Sequence, residues 1–125
     1  MRMKIRPVIE YPKEKAYVYI ICDEEGYVKV GITKNKVESR LKQLQTGHAS
    51  RLSIYYYEEF ECSRNHLLKV EGLIHKELGS KYSRVMGEWF RLSSVGNVEE
   101  LEDIKSTVIW NRIRYEQDDL YFKYS

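Results

Sequence analysis

The chain is short of long hydrophobic runs, cysteine, proline and net charge, and each shortage excludes something. No stretch of the 125 residues is apolar for long enough to span a bilayer. The opening segment MRMKIRPVIEYPKEK scatters charges where a secretory signal would need a continuous apolar region. A cytoplasmic location without membrane association is therefore expected. The two cysteines, Cys22 and Cys62, fit no metal-ligand spacing and read as reduced, buried thiols. With two prolines, no low-complexity run and no internal repeat, nothing divides the chain, and its length suits a single domain over residues 1–125. A net charge of +2 does not by itself indicate a nucleic-acid binder. The distribution says more: Lys34, Lys36, Arg40, Lys42 and Arg51 face a single acid, Glu38, across residues 34–51, whereas Glu99, Glu100, Glu102 and Asp103 cluster far along the chain. A solvated helix face accounts for that basic run as well as a phosphate-binding surface does.

What is present is organised around residues 16–47. Tyr17-Val18-Tyr19-Ile20-Ile21-Cys22 and Tyr27-Val28-Lys29-Val30-Gly31-Ile32 are β-branched and aromatic runs separated by Asp23-Glu24-Glu25-Gly26, the pattern of a β-hairpin. A three-residue loop, Glu24 to Gly26, puts Gly26 in the left-handed position and pairs Asp23 with Tyr27. In that register Val18, Ile20 and Cys22 share a core face with Val28, Val30 and Ile32. The opposite face carries Tyr17, Tyr19, Lys29 and Gly31, either a solvated face or a site in which the glycine admits a ligand to the backbone.

A helix follows, capped by Asn35, striped by Val37, Leu41 and Leu44, and ended by Gly47. Arg40 projects from its buried side, where a cation requires an anion, either a protein carboxylate or a phosphate. After a loop containing His48 and Arg51, Leu52–Phe60 alternates Leu52, Ile54, Tyr56 and Phe60 on one face against Tyr55 and Tyr57, a third strand. Ser63 then caps a second helix ending at Leu78–Gly79, with Leu67, Val70, Ile74 and Leu78 as its apolar stripe. Glu71 and His75 lie on that inward side. Glu71 either pairs with Arg40 in a buried ion pair, which is a weak stabiliser, or belongs to a site. Trp89 and Phe90 read as core, and Asn97 to Tyr115 forms a terminal amphipathic helix with Val98, Leu101, Ile104, Val108 and Ile109, extended by Trp110 and Ile113. That helix covers the sheet or supplies a homodimer surface. An edge strand over Lys4–Ile9, broken by Pro7, is also expected. The fold class is mixed α+β: a small three-stranded antiparallel sheet flanked by three helices.

Tyr17-Val18-Tyr19, Lys29-Val30-Gly31 and an arginine nine residues further on resemble the GIY-YIG nuclease superfamily, in the diverged, phage-associated branch where lysine replaces the second signature tyrosine. Tyr17 occupies the place of the first signature glycine. The segment Glu71 to Leu78 is similar to the second catalytic helix of that family, and Glu88-Trp89-Phe90 to a segment near its site; together the similarity covers about residues 16–92. The asparagine that better-known members place in this last region is absent, which leaves Glu88 as either a second carboxylate near the metal or an edge residue.

The resemblance implies a metal-dependent endonuclease acting on nucleic acid, DNA rather than RNA. Glu71 would be the ligand of one Mg²⁺ or Mn²⁺, and His75 would relay a proton. Arg40 would hold the scissile phosphate. Tyr19 would act as base or water-orienting group, with Lys29 lowering its pKa. Tyr17, Lys34, Lys36, Lys42, His48 and Arg51 are the candidate nucleic-acid contacts. Two other classes fit the same residues: a catalytically silent nucleic-acid-binding module of this fold, and a protein-interaction domain using the terminal helix.

Overall fold

The computed structural model describes residues 14–124, so the expected Lys4–Ile9 strand lies outside the described residues. Strands β1 (Glu14–Cys22) and β2 (Tyr27–Thr33) form the hairpin in the expected register, Val18 opposite Ile32, Tyr19 opposite Gly31 and Cys22 opposite Val28. Asp23 N–H donates to the Tyr27 carbonyl at 3.0 Å, and Gly26 adopts φ +93°. The loop is tightened by Asp23 Oδ1, which accepts the N–H groups of Glu25 (2.9 Å) and Tyr27 (2.8 Å).

Among the described residues the sheet has five strands, not three, in the order β3-β1-β2-β5-β4, with β3 at Ser53–Cys62, β4 at Ser83–Met86 and β5 at Trp89–Arg91. Every neighbouring pair is antiparallel. The added hairpin escapes periodicity because all of β4 is exposed and β5 has only three residues. Its turn is nevertheless written in the sequence. Met86 pairs with Trp89, which leaves Gly87-Glu88 as a two-residue loop; Gly87 has φ +57°, the first position of a II′-type turn.

Both faces of the sheet are covered. On one, Val18, Ile20, Val28, Val30, Phe60 and Phe90 pack with Leu67, Val70, Ile74 and Leu78 of α2 (Arg64–Lys81) and with Leu101, Ile104 and Val108 of α3 (Val98–Tyr124). On the other, Tyr19, Ile21 and Leu52 pack with Val37 of α1 (Val37–Thr46), joined by Leu41, Leu44, Ile54 and Trp89. The Tyr17/Tyr19/Lys29 side of the hairpin is thus the floor of a second small core rather than a solvated face.

Strand β3 departs from simple alternation. Ile20 pairs with Tyr56 and Ile21 with Ile54, so Tyr55 is the extra residue of a bulge. Leu52 and Ile54 consequently face α1, while Tyr56 and Phe60 face the main core, splitting a set that alternation assigns to one side. Helix ends differ as well. Lys36, not Asn35, is the N-cap of α1, and neither it nor Ser63 of α2 makes a side-chain cap bond. Helix α2 runs through the exposed Gly79 to Lys81; glycine inside a helix costs only about 1 kcal/mol relative to alanine. Helix α3 is capped by Asn97, whose Oδ1 accepts the Glu100 N–H at 3.1 Å. It covers α2, but Val98, Trp110 (58% exposed) and Ile113 stay at the surface. Neither cysteine is in a disulfide, and burial pushes the Cys22 thiol up to about 11. Among the described residues, no helix is long and apolar enough to cross a membrane.

Candidate active site

The β1–β2 hairpin supplies the centre. Tyr19 and Gly31 are direct cross-strand partners, and the Tyr19 ring lies over the glycine: a Cβ built on Gly31 would stand 2.5 Å from Tyr19 Oη, 2.7 Å from Cζ and 3.2 Å from Glu88 Oε2. The room that a glycine offers here is filled by Tyr19 itself and not left for a ligand. Arg40, on the inner side of α1, donates from Nε to Tyr19 Oη at 3.4 Å and from Nη1 to Gln43 Oε1 at 3.4 Å. It makes no ion pair with Glu71, so the structural pairing of those two charges does not occur.

Glu71 and His75 reach the same centre from α2, one turn apart. Glu71 Oε2 accepts the Ile32 N–H at 3.0 Å, and His75 Nε2 lies 2.7 Å from the Val30 carbonyl. A carbonyl can only accept, so Nε2 carries the proton there and a neutral ring keeps Nδ1 as its basic nitrogen. The third group is Glu88, placed at the tip of the β4–β5 turn. Glu71, His75 and Glu88 each offer a ligand atom within 4.8 Å of the others. Glu88 also pairs with Lys29 at 3.2 Å, and the Lys29 ammonium stands 5.6 Å from the Trp89 ring centroid. The ambiguity over Glu88 is resolved spatially: it joins the cluster. The Gly-X turn signal at Gly87-Glu88 was the feature of the sequence that could have located it.

The electrostatics suit a cation. Burial, and then the negative charge of Glu88, push the Glu71 carboxyl above the usual carboxylate range, against the Ile32 N–H and His75. Lys29 answers the charge of Glu88, but among the described residues no lysine or arginine forms an ion pair with Glu71. Two hard carboxylates and an imidazole form a donor set suited to a small divalent ion, more so Mn²⁺ than Mg²⁺ because of the nitrogen. The expected lowering of the Tyr19 pKa by Lys29 does not operate. Burial pushes the phenol up, with Arg40 opposing, and the lysine is engaged with Glu88. At neutral pH Tyr19 is a phenol that accepts from Arg40 and retains its own O–H to donate.

The remaining candidates are spread around this centre. Lys36, Lys42 and Arg51 are exposed. Lys34 pairs with Glu14 and, with Ile32, Thr33, Leu67, Leu68 and Glu71, lines a cleft of about 240 Å³. Tyr17 donates to Glu59 at 3.4 Å and its ring meets that of Tyr57 at 6.4 Å. His48 bonds Asp23 and stacks on Trp89.

Residues 16–111 match the family model described as the T5orf172 domain. The chain belongs to the T5orf172 domain family. That match runs from Ala16 in β1 to Asn111 in α3, so the Tyr19–Arg40 pair and the Glu71–His75–Glu88 cluster all lie within the T5orf172 domain. No curated protein and no solved structure matches the chain.

Proposed function

We propose that this T5orf172 domain is a metal-dependent endonuclease of GIY-YIG type, hydrolysing phosphodiester bonds of DNA. The observation that carries this reading is the convergence of Glu71, His75 and Glu88 beside the Tyr19–Arg40 pair. Glu71 and Glu88 are the residues to hold one Mg²⁺ or Mn²⁺, which when bound supplies a Lewis acid for a phosphoryl oxygen. Arg40 keeps guanidinium donors for the scissile phosphate beyond those it gives Tyr19 and Gln43. Tyr19, un-ionised, orients the attacking water through its hydroxyl rather than deprotonating it. His75 stands in the cluster with the two carboxylates and accepts the released proton at Nδ1, its ring held through Nε2 by the Val30 carbonyl. Lys29 pairs with Glu88 and holds it turned toward the cluster.

Supercoiled plasmid and a structured RNA, each incubated with Mn²⁺ and with EDTA, test the proposal. Nicking of plasmid that EDTA abolishes is expected. Absence of cleavage of either nucleic acid at any Mg²⁺ or Mn²⁺ concentration would overturn the enzymatic reading and leave a silent binding module.

Tyr19→Phe removes the orienting hydroxyl but keeps the packed ring. A fall in kcat of about 10²-fold is expected, with melting temperature and Mn²⁺ dependence nearly unchanged. Cleavage at the wild-type rate would dismiss Tyr19 from the chemistry.

Nucleic-acid affinity should be chiefly electrostatic. If Lys36, Arg40, Lys42 and Arg51 each neutralise one phosphate, log affinity against log salt has a slope of about −3.6. Fluorescence anisotropy of a labelled duplex across a salt series measures it. A slope near zero would discard the basic surface over residues 34–51.

A further inference from the structure

We infer that His48, anchored on Asp23, is a positioning residue that sets the Glu88 side of the candidate metal site by acting through Trp89 and Lys29. The inference rests on the metal-site reading above. His48 lies in the loop after α1, and its side-chain hydrogen bond and ring contact go to Asp23 and Trp89. Its Nε2 stands 2.9 Å from Asp23 Oδ2, while Asp23 Oδ1 is held by the N–H groups of Glu25 and Tyr27. Asp23 is thus a fixed anchor in the hairpin turn. The His48 ring stacks on Trp89 with centroids 4.9 Å apart and planes 14° apart. Trp89 is the cross-strand partner of Lys29 and offers its ring to that ammonium.

Among the described residues, the ion pair of Lys29 is with Glu88 at 3.2 Å. Glu88 adjoins Trp89 in sequence at the β4–β5 turn, so the indole fixes both the backbone beside this carboxylate and the cation that answers it. The Asp23–His48 bond orients one ring, that ring holds a second, and the second locates the ammonium that aims Glu88. A loose Trp89 would let Lys29 and Glu88 explore other arrangements. Groups that orient metal ligands in this way are typically worth about 10–100-fold in metal affinity or activity.

The loop itself does not depend on the imidazole. The Gln45 side chain donates to the carbonyls of His48 (3.4 Å) and Ser50 (2.9 Å) and accepts the Leu52 N–H at 2.7 Å. Substitution at His48 is therefore expected to leave the backbone in place.

The test compares wild type, His48→Ala and His48→Phe, the last keeping a stackable ring without the bond to Asp23. Mn²⁺ binding is measured by calorimetry on the metal-free proteins, so the readout does not require cleavage. Trp89 emission is followed in a Trp110→Phe background, and oligonucleotide binding is measured in EDTA. His48→Ala is expected to weaken Mn²⁺ binding about tenfold and His48→Phe by less than about threefold. Trp89 emission should shift to longer wavelength in the alanine variant alone, and oligonucleotide binding in EDTA should be unchanged in both.

Equal Mn²⁺ affinity in all three proteins would overturn the positioning role. So would equal weakening in both variants, which would assign the effect to the Asp23 bond and not to the stacked ring. Weakened oligonucleotide binding with unchanged Mn²⁺ affinity would make His48 a nucleic-acid contact instead. If His48→Ala unfolds, wild-type Mn²⁺ affinity in His48→Phe still supports the stack and a tenfold loss overturns it. A wild type that binds Mn²⁺ but cuts nothing sinks the nuclease proposal and leaves this comparison intact; one that binds no Mn²⁺ overturns both.

Discussion

Glu71→Gln is expected to lower Mn²⁺-dependent cleavage by about 10³-fold or more while leaving the metal-free protein at least as stable as wild type. Glutamine keeps the side-chain shape and an oxygen to accept the Ile32 N–H, but removes the charge that would hold the ion. Burial and the neighbouring Glu88 raise the Glu71 pKa in the folded protein. Its proton is therefore bound more tightly folded than unfolded, so stability is greatest when the group is protonated and is lost as pH rises through the folded pKa. The variant removes that loss. It should melt above metal-free wild type near neutral pH, and the gap should close as pH falls toward the ordinary carboxylate range. Glu71→Ala, which also abandons the Ile32 N–H, should melt below Glu71→Gln by about 1 kcal/mol in stability. Thermal unfolding across pH, paired with plasmid nicking, separates these outcomes. A Gln variant that cuts as fast as wild type would dismiss Glu71 as the metal ligand.

Gly31→Ala should be nearly as damaging to activity, and unlike Glu71→Gln it should also destabilise. The new Cβ meets Tyr19 Oη at 2.5 Å and Cζ at 2.7 Å, with Glu88 Oε2 at 3.2 Å. Tyr19 is 1% exposed and packed against α1, so its ring cannot swing aside freely. Overpacking of this kind costs about 1–3 kcal/mol, and it displaces the phenol from Arg40 and crowds Glu88 together. Shortening the ring should separate the two effects: Gly31→Ala with Tyr19→Leu is expected to recover part of the stability and none of the cleavage. Denaturant melts and nicking assays on the single and double variants check this. A fully active Gly31→Ala would show that the close approach of Tyr19 to the backbone is incidental.

The parts of this site that depend on local periodicity are legible in the sequence. The hairpin register follows from alternation and the glycine loop, and the inward placement of Arg40, Glu71 and His75 follows from helical spacing. What alternation could not supply is the extra residue at Tyr55, because a bulge leaves no mark on a pattern of apolar residues. Strand β4 was invisible for a related reason, since an exposed edge strand has no buried face to show. The turn that delivers Glu88 depends on that strand and is hidden with it. The direction of the Tyr19 pKa is not legible either, because sequence gives proximity of charge but not burial, and burial is the larger effect here. The apolar residues Val98, Trp110 and Ile113 continue the stripe of α3 in sequence yet remain exposed, because α2 covers only the strip of that helix carrying Leu101, Ile104 and Val108.

Crystals of the protein soaked in Mn²⁺, with diffraction recorded at the manganese absorption edge, test the central claim most directly. One anomalous peak is expected at bonding distance from a Glu71 carboxylate oxygen, with Glu88 completing the protein side of its coordination and Tyr19 and Arg40 facing it. A Glu71–Glu88 cluster without such a peak at saturating Mn²⁺, in a protein whose side chains otherwise stand as described, would contradict the metal centre and the nuclease built on it.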